Sequence, residues 1–394
     1  MHILIAAVSS ASAPTGICRY AANLARGLTM MGGDTTKVTL VVGAWQADYF
    51  RTAFQLDEHT IQLRTCHIRP NAMARNLWYV FALPILAKAI GADIVHLTFP
   101  APLLGRPWMP CPIVGTIHDL YPFDQPENFG LVRVTFNRLF LRCCLRNSDA
   151  LACVSDYTRK RLAAIGSPAT VRKTWHVYNC LGPSPSSSRP PALPGLGDRP
   201  FLLAVAQHRA NKNLHLLLQA FANCQKHSLL SEAYALVLVG SAGPETRRLS
   251  QLIAQLNQQK NIFMLQSTSD SELSWLYRNA ELLVAPSRIE GFCFPVIEAL
   301  HYGCRVVCSD IAVFHEIGGA SCEYFDLHAT DPVERLAHAI ATALTKSKPT
   351  LPRRERFSLK NMTAAYCALY AQLCGRHMWA QPVMSPERLD GRAG

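Results

Sequence analysis

Several familiar catalytic signatures are missing from this chain of 394 residues. No two aspartates stand two residues apart, so there is no Asp-x-Asp motif to carry a metal with a nucleotide. There is no Gly-x-Ser-x-Gly elbow, no P-loop and no His-Glu-x-x-His helix. The Gly-x-Gly-x-x-Gly fingerprint of nicotinamide binding is absent from the turns that would need it, which argues against an oxidoreductase. The 14 cysteines include no Cys-x-x-Cys pair and no Cys/His cluster with zinc spacing. They sit in apolar surroundings such as Leu-Ala-Cys153-Val and Val-Val-Cys308-Ser, and read as small core residues in a reducing compartment. No run reaches the ~20 apolar residues of a membrane span. The best candidate, Trp78 to Ile90, is interrupted by Pro84 and Lys88. The opening apolar run has no Lys or Arg before it and is shorter than the roughly 7–15 residues of a signal peptide core, so it reads as a first strand. Basic residues are spread out without aromatic stacking motifs, and no nucleic-acid module is expected.

What is present suits a packed protein of two domains. Hydrophobic residues make up 49% and charged residues 17%, with a net charge of +12. That excess points to an anionic partner such as phosphorylated substrate or an acidic membrane surface. Strand and helix patterns alternate. Ile3 to Val8, Val38 to Val42, Asp93 to Leu97, Ile113 to Ile117 and Leu151 to Val154 are short apolar runs of parallel-strand type. Ile17 to Met31 has helical periodicity, and Arg75 to Ile90 reads as a mostly buried helix. After a Pro/Ser-rich stretch the rhythm restarts with strands at Phe201 to Ala206, Ala235 to Gly240, Ile262 to Leu265, Leu282 to Ala285 and Val306 to Ser309. The expected class is α/β, with two doubly wound, Rossmann-like domains whose strand ends face a central cleft. The expected division is a first domain over 1–180, a linker over 181–199 and a second domain over 200–357. A late helix over 358–375 and a poorly ordered tail over 376–394 follow.

Four stretches could carry chemistry. Ser287 to Leu300 links a strand to a helix expected to start at Pro295, and places Glu290 in the loop and Glu298 one turn into the helix. The two acids read either as ordinary first-turn carboxylates or as a pair that grips hydroxyl groups near an anion-holding helix end. The loop Ala206 to Leu214 follows the second domain's first strand and offers Arg209 and Lys212 to a phosphate. His118, with Asp119 beside it, lies just past a strand end, where it could donate a hydrogen bond to substrate. Gly16, after the first strand, allows a close backbone approach to a phosphate. Separately, Arg138, Arg142 and Arg146 fall on one helix face, either as a solvated stripe or as a contact for anionic lipid or an acceptor diphosphate.

Together these pieces resemble the retaining glycosyltransferases of family 4, with the GT-B fold, and the resemblance covers most of the chain. Glu290-x7-Glu298 matches the family's Glu-x7-Glu element. Thr15-Gly16-Ile17-Cys18-Arg19-Tyr20 resembles its Gly-rich start, and Thr116-Ile117-His118-Asp119 its histidine motif. Val154-Ser155 ahead of a helix, Lys212-Asn213-Leu214, and Cys308 through Ile317 also fit. The resemblance implies that Glu290 lies by the donor sugar, that Glu298 holds the ribose hydroxyls, and that the backbone of Gly291, Phe292, Cys293 and Phe294 cradles sugar and phosphate. It implies that Lys212 neutralises the diphosphate, that His118 touches the donor sugar, and that the late helix crosses back to the first domain. Without an Asp-x-Asp motif, no metal or other cofactor is expected, and Lys212, Arg209 and a helix N-terminus carry the charge. Three departures stand out: Gln207 where the family often has Arg, Cys293 where it commonly has Gly, and Asn179-Cys180 where Asn-Gly usually ends the first domain.

The implied activity is hexose transfer from a nucleotide sugar, with GDP-mannose favoured by family analogy. The acceptor is a glycan, lipid-linked, in bacterial surface polysaccharide synthesis, and the enzyme is cytoplasmic and peripheral at the inner membrane face. A sugar-nucleotide epimerase or phosphorylase of the same architecture, and a non-catalytic membrane-associated scaffold, are the alternatives.

Overall fold

The computed structural model describes residues 1–11, 14–124, 131–183, 186–191, 193–266, 268–349 and 355–375; the tail over 376–394 lies outside the described residues. The chain forms two compact units. One is Met1–Gly182 joined by the segment from Glu355 onward, and the other is Pro183–Arg354.

The first unit holds seven parallel strands: β1 His2–Ala6, β2 Lys37–Gly43, β3 Ile61–Cys66, β4 Ile94–Leu97, β5 Ile113–Ile117, β6 Ala150–Cys153 and β7 Thr174–His176. Their order is β3-β2-β1-β4-β5-β6-β7. Both faces are covered, as the near-continuous apolar strands require. Alternation along β1 divides the core. Ile3 and Ile5 pack with the helices Gly16–Gly32 and Leu359–Cys374, while Leu4 and Ala6 pack with Trp78, Tyr79 and Leu83 on the other face. The second unit has six parallel strands: β8 Phe201–Val205, β9 Ala235–Val239, β10 Ile262–Leu265, β11 Leu282–Ala285, β12 Arg305–Ser309 and β13 Glu323–Phe325. Their order is β10-β9-β8-β11-β12-β13. In each sheet the order reverses once, between β1 and β4 and between β8 and β11. Such a reversal opens a crevice at the carboxyl ends of the strands, where open α/β sheets take ligands.

The late helix Leu359–Cys374 is capped by Ser358, whose side chain accepts from the Asn361 N–H, and ends at Gly375 with φ of 63°. It lies so close to the Gly16–Gly32 helix that a Cβ on Gly27 would stand 2.0 Å from Thr363 Oγ1. A buried polar network fastens it to the sheet. Tyr20 Oη donates to Tyr366 Oη at 2.6 Å, His96 Nε2 lies 2.9 Å from Tyr20 Oη and 2.8 Å from Thr116 Oγ1, and Tyr370 Oη meets His96 Nδ1 at 2.6 Å.

Some local expectations change. β3, β7 and β13 were not anticipated; each is a sheet edge, where fewer apolar residues are needed. The Pro/Ser-rich stretch expected as a flexible link is partly anchored: Leu193 and Leu196 are buried, and the Arg189 guanidinium lies 5.3 Å from the Trp275 ring centre. The helix expected to be mostly buried over 75–90 runs from Ala72 to Ala89 and leaves one apolar face exposed. All the cysteines are free, and most are buried. Among the described residues no helix is long and apolar enough to cross a membrane.

Candidate active site

Two loops leave the second sheet at its reversal point, one after β8 and one after β11. The first tightens into a single 3-10 turn, Ala210–Lys212, and then passes through Asn213 in the left-handed region (φ of 54°) into the helix Leu214–Lys226. The backbone ties the loops together: the Arg288 N–H donates to the Asn211 carbonyl at 2.8 Å. The side chains then meet. Lys212 Nζ donates to Glu290 Oε1 at 2.5 Å, and Ser287 Oγ donates to the same oxygen at 2.7 Å. Both charged groups are mostly shielded, with side-chain exposures of 22% for Lys212 and 9% for Glu290. Lys212 and Glu290, singled out from segments 78 residues apart, thus form one ion pair. Arg209 is exposed and takes no part in it.

The β11 loop continues through buried Gly291 and Phe292 to Cys293, whose φ of 71° and ψ of 81° lie where glycine is at ease and a side chain is strained. This supplies a physical reason for the glycine common in the family at this place. Burial pushes the Cys293 thiol pKa well up, so the side chain is a neutral thiol beside the charged pair. Phe292 and half-buried Phe294 meet edge to face at 5.5 Å. The helix spans Phe294–His301, so Pro295 is its second residue rather than its first. Glu298 follows within it, and Tyr277 Oη donates to Glu298 Oε2 at 2.8 Å.

Sequence reasoning gave no role to Ser287 or Tyr277. Nor did it find the floor beneath the β8 loop. A Cβ on Gly240 would stand 1.9 Å from the Ala206 carbonyl oxygen, and one on Gly243 would stand 2.3 Å from that of His208. Glycines just past a strand end are the available signal. Near the ion pair, His208 Nε2, Asn211 Oδ1 and Asn213 Oδ1 are buried with no partner among the described residues. Burial lowers the His208 pKa, keeping the ring neutral. Buried polar atoms rarely stay unpaired, and these three stand in the loop that carries Lys212.

In the first unit, Gly16 opens the Gly16–Gly32 helix behind the N-cap Thr15, exposed after β1. His118 follows β5. Its Nε2 donates to the Thr98 carbonyl at 2.8 Å, and Tyr20 meets the ring edge to face at 5.0 Å. Burial lowers its pKa, with the Thr98 bond and Asp119 acting in the opposite direction. A neutral ring that donates through Nε2 leaves Nδ1 as an acceptor. Donation from this neutral ring to a substrate through Nε2 would require the Thr98 bond to be exchanged. Arg138, Arg142 and Arg146 lie on the helix Leu131–Asn147. Arg138 is half-buried with its guanidinium 5.2 Å from the Phe123 ring centre, while Arg142 and Arg146 are exposed. Among the described residues no group of three or more His, Cys, Asp or Glu is placed to hold a metal.

The family model described as Glycosyltransferase Family 4 matches residues 14–181, and that described as Glycosyl transferases group 1 matches residues 191–361. The O-antigen chain mannosyltransferase RfbU of Salmonella typhimurium is 28% identical over 259 residues, 64% of this chain and 66% of that protein. The O-antigen chain mannosyltransferase B of Escherichia coli is 27% identical over 271 residues, 66% of this chain and 70% of that protein. The chain therefore spans about two thirds of the length of these curated relatives. Anabaena Alr3699/HepE, solved in complex with UDP-glucose, matches with a TM-score of 0.65 at 17% identity over 95% of each chain, a likeness that shows the fold. With its two halves matched in order and the same two-sheet scaffold beneath them, the chain belongs to the family 4 glycosyltransferases and has the GT-B fold.

Proposed function

We propose that this chain is a retaining glycosyltransferase that moves mannose from GDP-mannose to a lipid-linked glycan during assembly of a bacterial surface polysaccharide, working at the inner face of the membrane. The observation that carries the reading is the Lys212–Glu290 pair, closed by Ser287 at the reversal point of the second sheet. The mannosyltransferase relatives support the sugar.

The roles follow from charge. As the bond between sugar and diphosphate breaks, negative charge gathers on the leaving phosphate. Lys212 supplies a point charge there, and the N-terminal ends of the helices Leu214–Lys226 and Phe294–His301 add oriented N–H groups. Glu290, shielded from water, stabilises positive charge developing on the sugar and keeps Lys212 in place before substrate arrives. Glu298, oriented by Tyr277, accepts from the ribose hydroxyls. The unpaired oxygens of Asn211 and Asn213 offer acceptors to donor hydroxyls, and the His208 ring nitrogen adds a further hydrogen-bonding atom. His118 accepts a substrate hydroxyl through Nδ1.

The test is incubation with a panel of GDP- and UDP-sugars and a polyprenyl-diphosphate-linked glycan, followed by product analysis. The expected result is mannose transfer from GDP-mannose with the anomeric configuration retained. Neither transfer nor donor hydrolysis with any member of the panel would refute the reading, and an epimerised donor would replace it.

A further inference from the structure

The large apolar side chains left exposed among the described residues all belong to the first unit. Four stand four residues apart on the helix running from Ala72 to Ala89: Met73 (74% exposed), Leu77 (50%), Phe81 (57%) and Ile85 (71%). In a plain α-helix, at 3.6 residues per turn, the first and last would diverge by about 120° around the axis. This helix contains one π-turn over Trp78–Ala82, with the Leu83 N–H reaching back five residues to the Trp78 carbonyl. Pro84, which has no N–H and collides with the carbonyl four residues before it, explains why the ladder slips there. The extra residue adds length with little added rotation and cuts the divergence to about 20°. The irregularity thus lines up four apolar side chains that a regular helix would spread around its surface.

The neighbouring elements on that side of the sheet extend the face. Leu103 and Met109 pack in the same core cluster as Trp78 and Leu83, and their loop exposes Leu104 and Trp108. Asn147 Nδ2 donates to the Leu103 carbonyl at 2.9 Å, which joins that loop to the end of the Leu131–Asn147 helix. That helix exposes Phe136 and Leu139, then Arg142 and Arg146. Residues 59–92 and 131–148 contain no acidic residue, and Lys88 extends the basic character of the first helix.

We propose that this side of the first unit docks on an anionic lipid surface, with Met73, Leu77, Phe81 and Ile85 entering the acyl boundary and Lys88, Arg142 and Arg146 meeting the headgroups. An apolar stripe bordered by cations without acids is the chemistry of an interfacial helix. It suits a second copy of the chain poorly, because a two-fold contact would bring the same cations together. The proposal assigns a surface to the membrane partner in the functional reading, but binding is measured without donor or acceptor, so the two fail separately.

The full chain is sedimented with vesicles of phosphatidylglycerol and phosphatidylethanolamine, and with phosphatidylcholine alone. Expected are binding to the anionic vesicles, a loss of about tenfold or more for the Phe81→Glu/Ile85→Glu double variant, and a loss of about tenfold for Arg142→Glu/Arg146→Glu, reduced further by salt. In the unmodified protein, brominated lipids should quench the part of the tryptophan emission that Trp108→Phe removes, a readout that does not depend on the charged variants folding. Failure to bind anionic vesicles overturns the proposal, as does binding that Phe81→Glu/Ile85→Glu leaves intact. A dimer seen by light scattering and abolished by that variant, without vesicle binding, reassigns the face to self-association.

Discussion

Lowering the pH from about 7.5 to about 4.5 should destabilise the first unit through His96. The imidazole is fully buried and has no acid among its hydrogen-bond partners. Its network is satisfied by one neutral form. Tyr20 donates to Tyr366 and so receives from His96 Nε2–H, while Nδ1 receives from Tyr370. A second ring proton would leave Tyr370 with a hydroxyl hydrogen and no acceptor. Burial lowers the pKa from the ordinary 6.5 to about 3. Between those values the unfolded chain binds a proton that the native state refuses. The stabilisation is therefore complete above 6.5 and is lost as the pH falls toward 3, at ~1.4 kcal/mol per pH unit. At two units below 6.5 the loss is roughly 2.7 kcal/mol. Burial also lowers the pKa values of His2, His118, His208 and His215, so the total slope is shared. The comparison is with His96→Gln, which cannot take that proton. Hydrogen exchange into Leu359–Cys374, with urea titrations at each pH, gives the stability of the first unit. The variant should be the less stable protein at about pH 7.5, and the gap should narrow by about 2–3 kcal/mol by about pH 4.5. A gap that stays constant would show that His96 accepts its proton without cost and would refute the network assignment.

Other perturbations address the second unit. Lys212→Ala should weaken GDP binding by about 1.5–3 kcal/mol, the scale of a charged hydrogen bond, and unchanged calorimetric affinity would remove Lys212 from the phosphate site. Glu290→Ala should lower turnover more than it lowers nucleotide affinity; equal losses in kcat and binding would mark the residue as structural. Tyr277→Phe takes a donor from Glu298 and should raise the donor KM by about 5–30-fold with little change in kcat, matching ~1–2 kcal/mol for one hydrogen bond. A fall in kcat instead would place Glu298 in the chemical step.

The α/β class was legible because interior parallel strands must be apolar throughout, so runs such as Leu282 to Ala285 announce themselves. β3, β7 and β13 were not, since an edge strand tolerates polar residues and two of these three are only three residues long. At the site, loop position and residue type picked out Lys212 and Glu290, but only folding shows that they share a bond. Tyr277 and Ser287 carried no pattern that separates a hydroxyl holding a carboxylate from one facing water. Cys293 was visible as a departure, and its left-handed φ supplies the physical reason it is one. The tyrosines that surround His96 come from chain segments hundreds of residues apart, and no spacing rule links them. The π-turn was hidden for a different reason: periodicity arguments assume a constant 3.6 residues per turn, and Pro84 breaks that assumption locally.

The return of the Leu359–Cys374 helix has a consequence for synthesis. When residues 1–182 have left the ribosome, Tyr20, His96 and Thr116 are present but Tyr366 and Tyr370 are not. At 5–20 residues per second, the missing helix follows after roughly 10–35 s. During that interval the nascent first sheet has an uncovered apolar strip beside Gly27 and unsatisfied polar groups within it, while the chain of the second unit is completed. A product truncated before Leu359 would stay in that condition, with the features that chaperones and proteases recognise. The Leu359–Cys374 helix thereby ties completion of the first unit's core and its buried polar network to prior synthesis of the second unit.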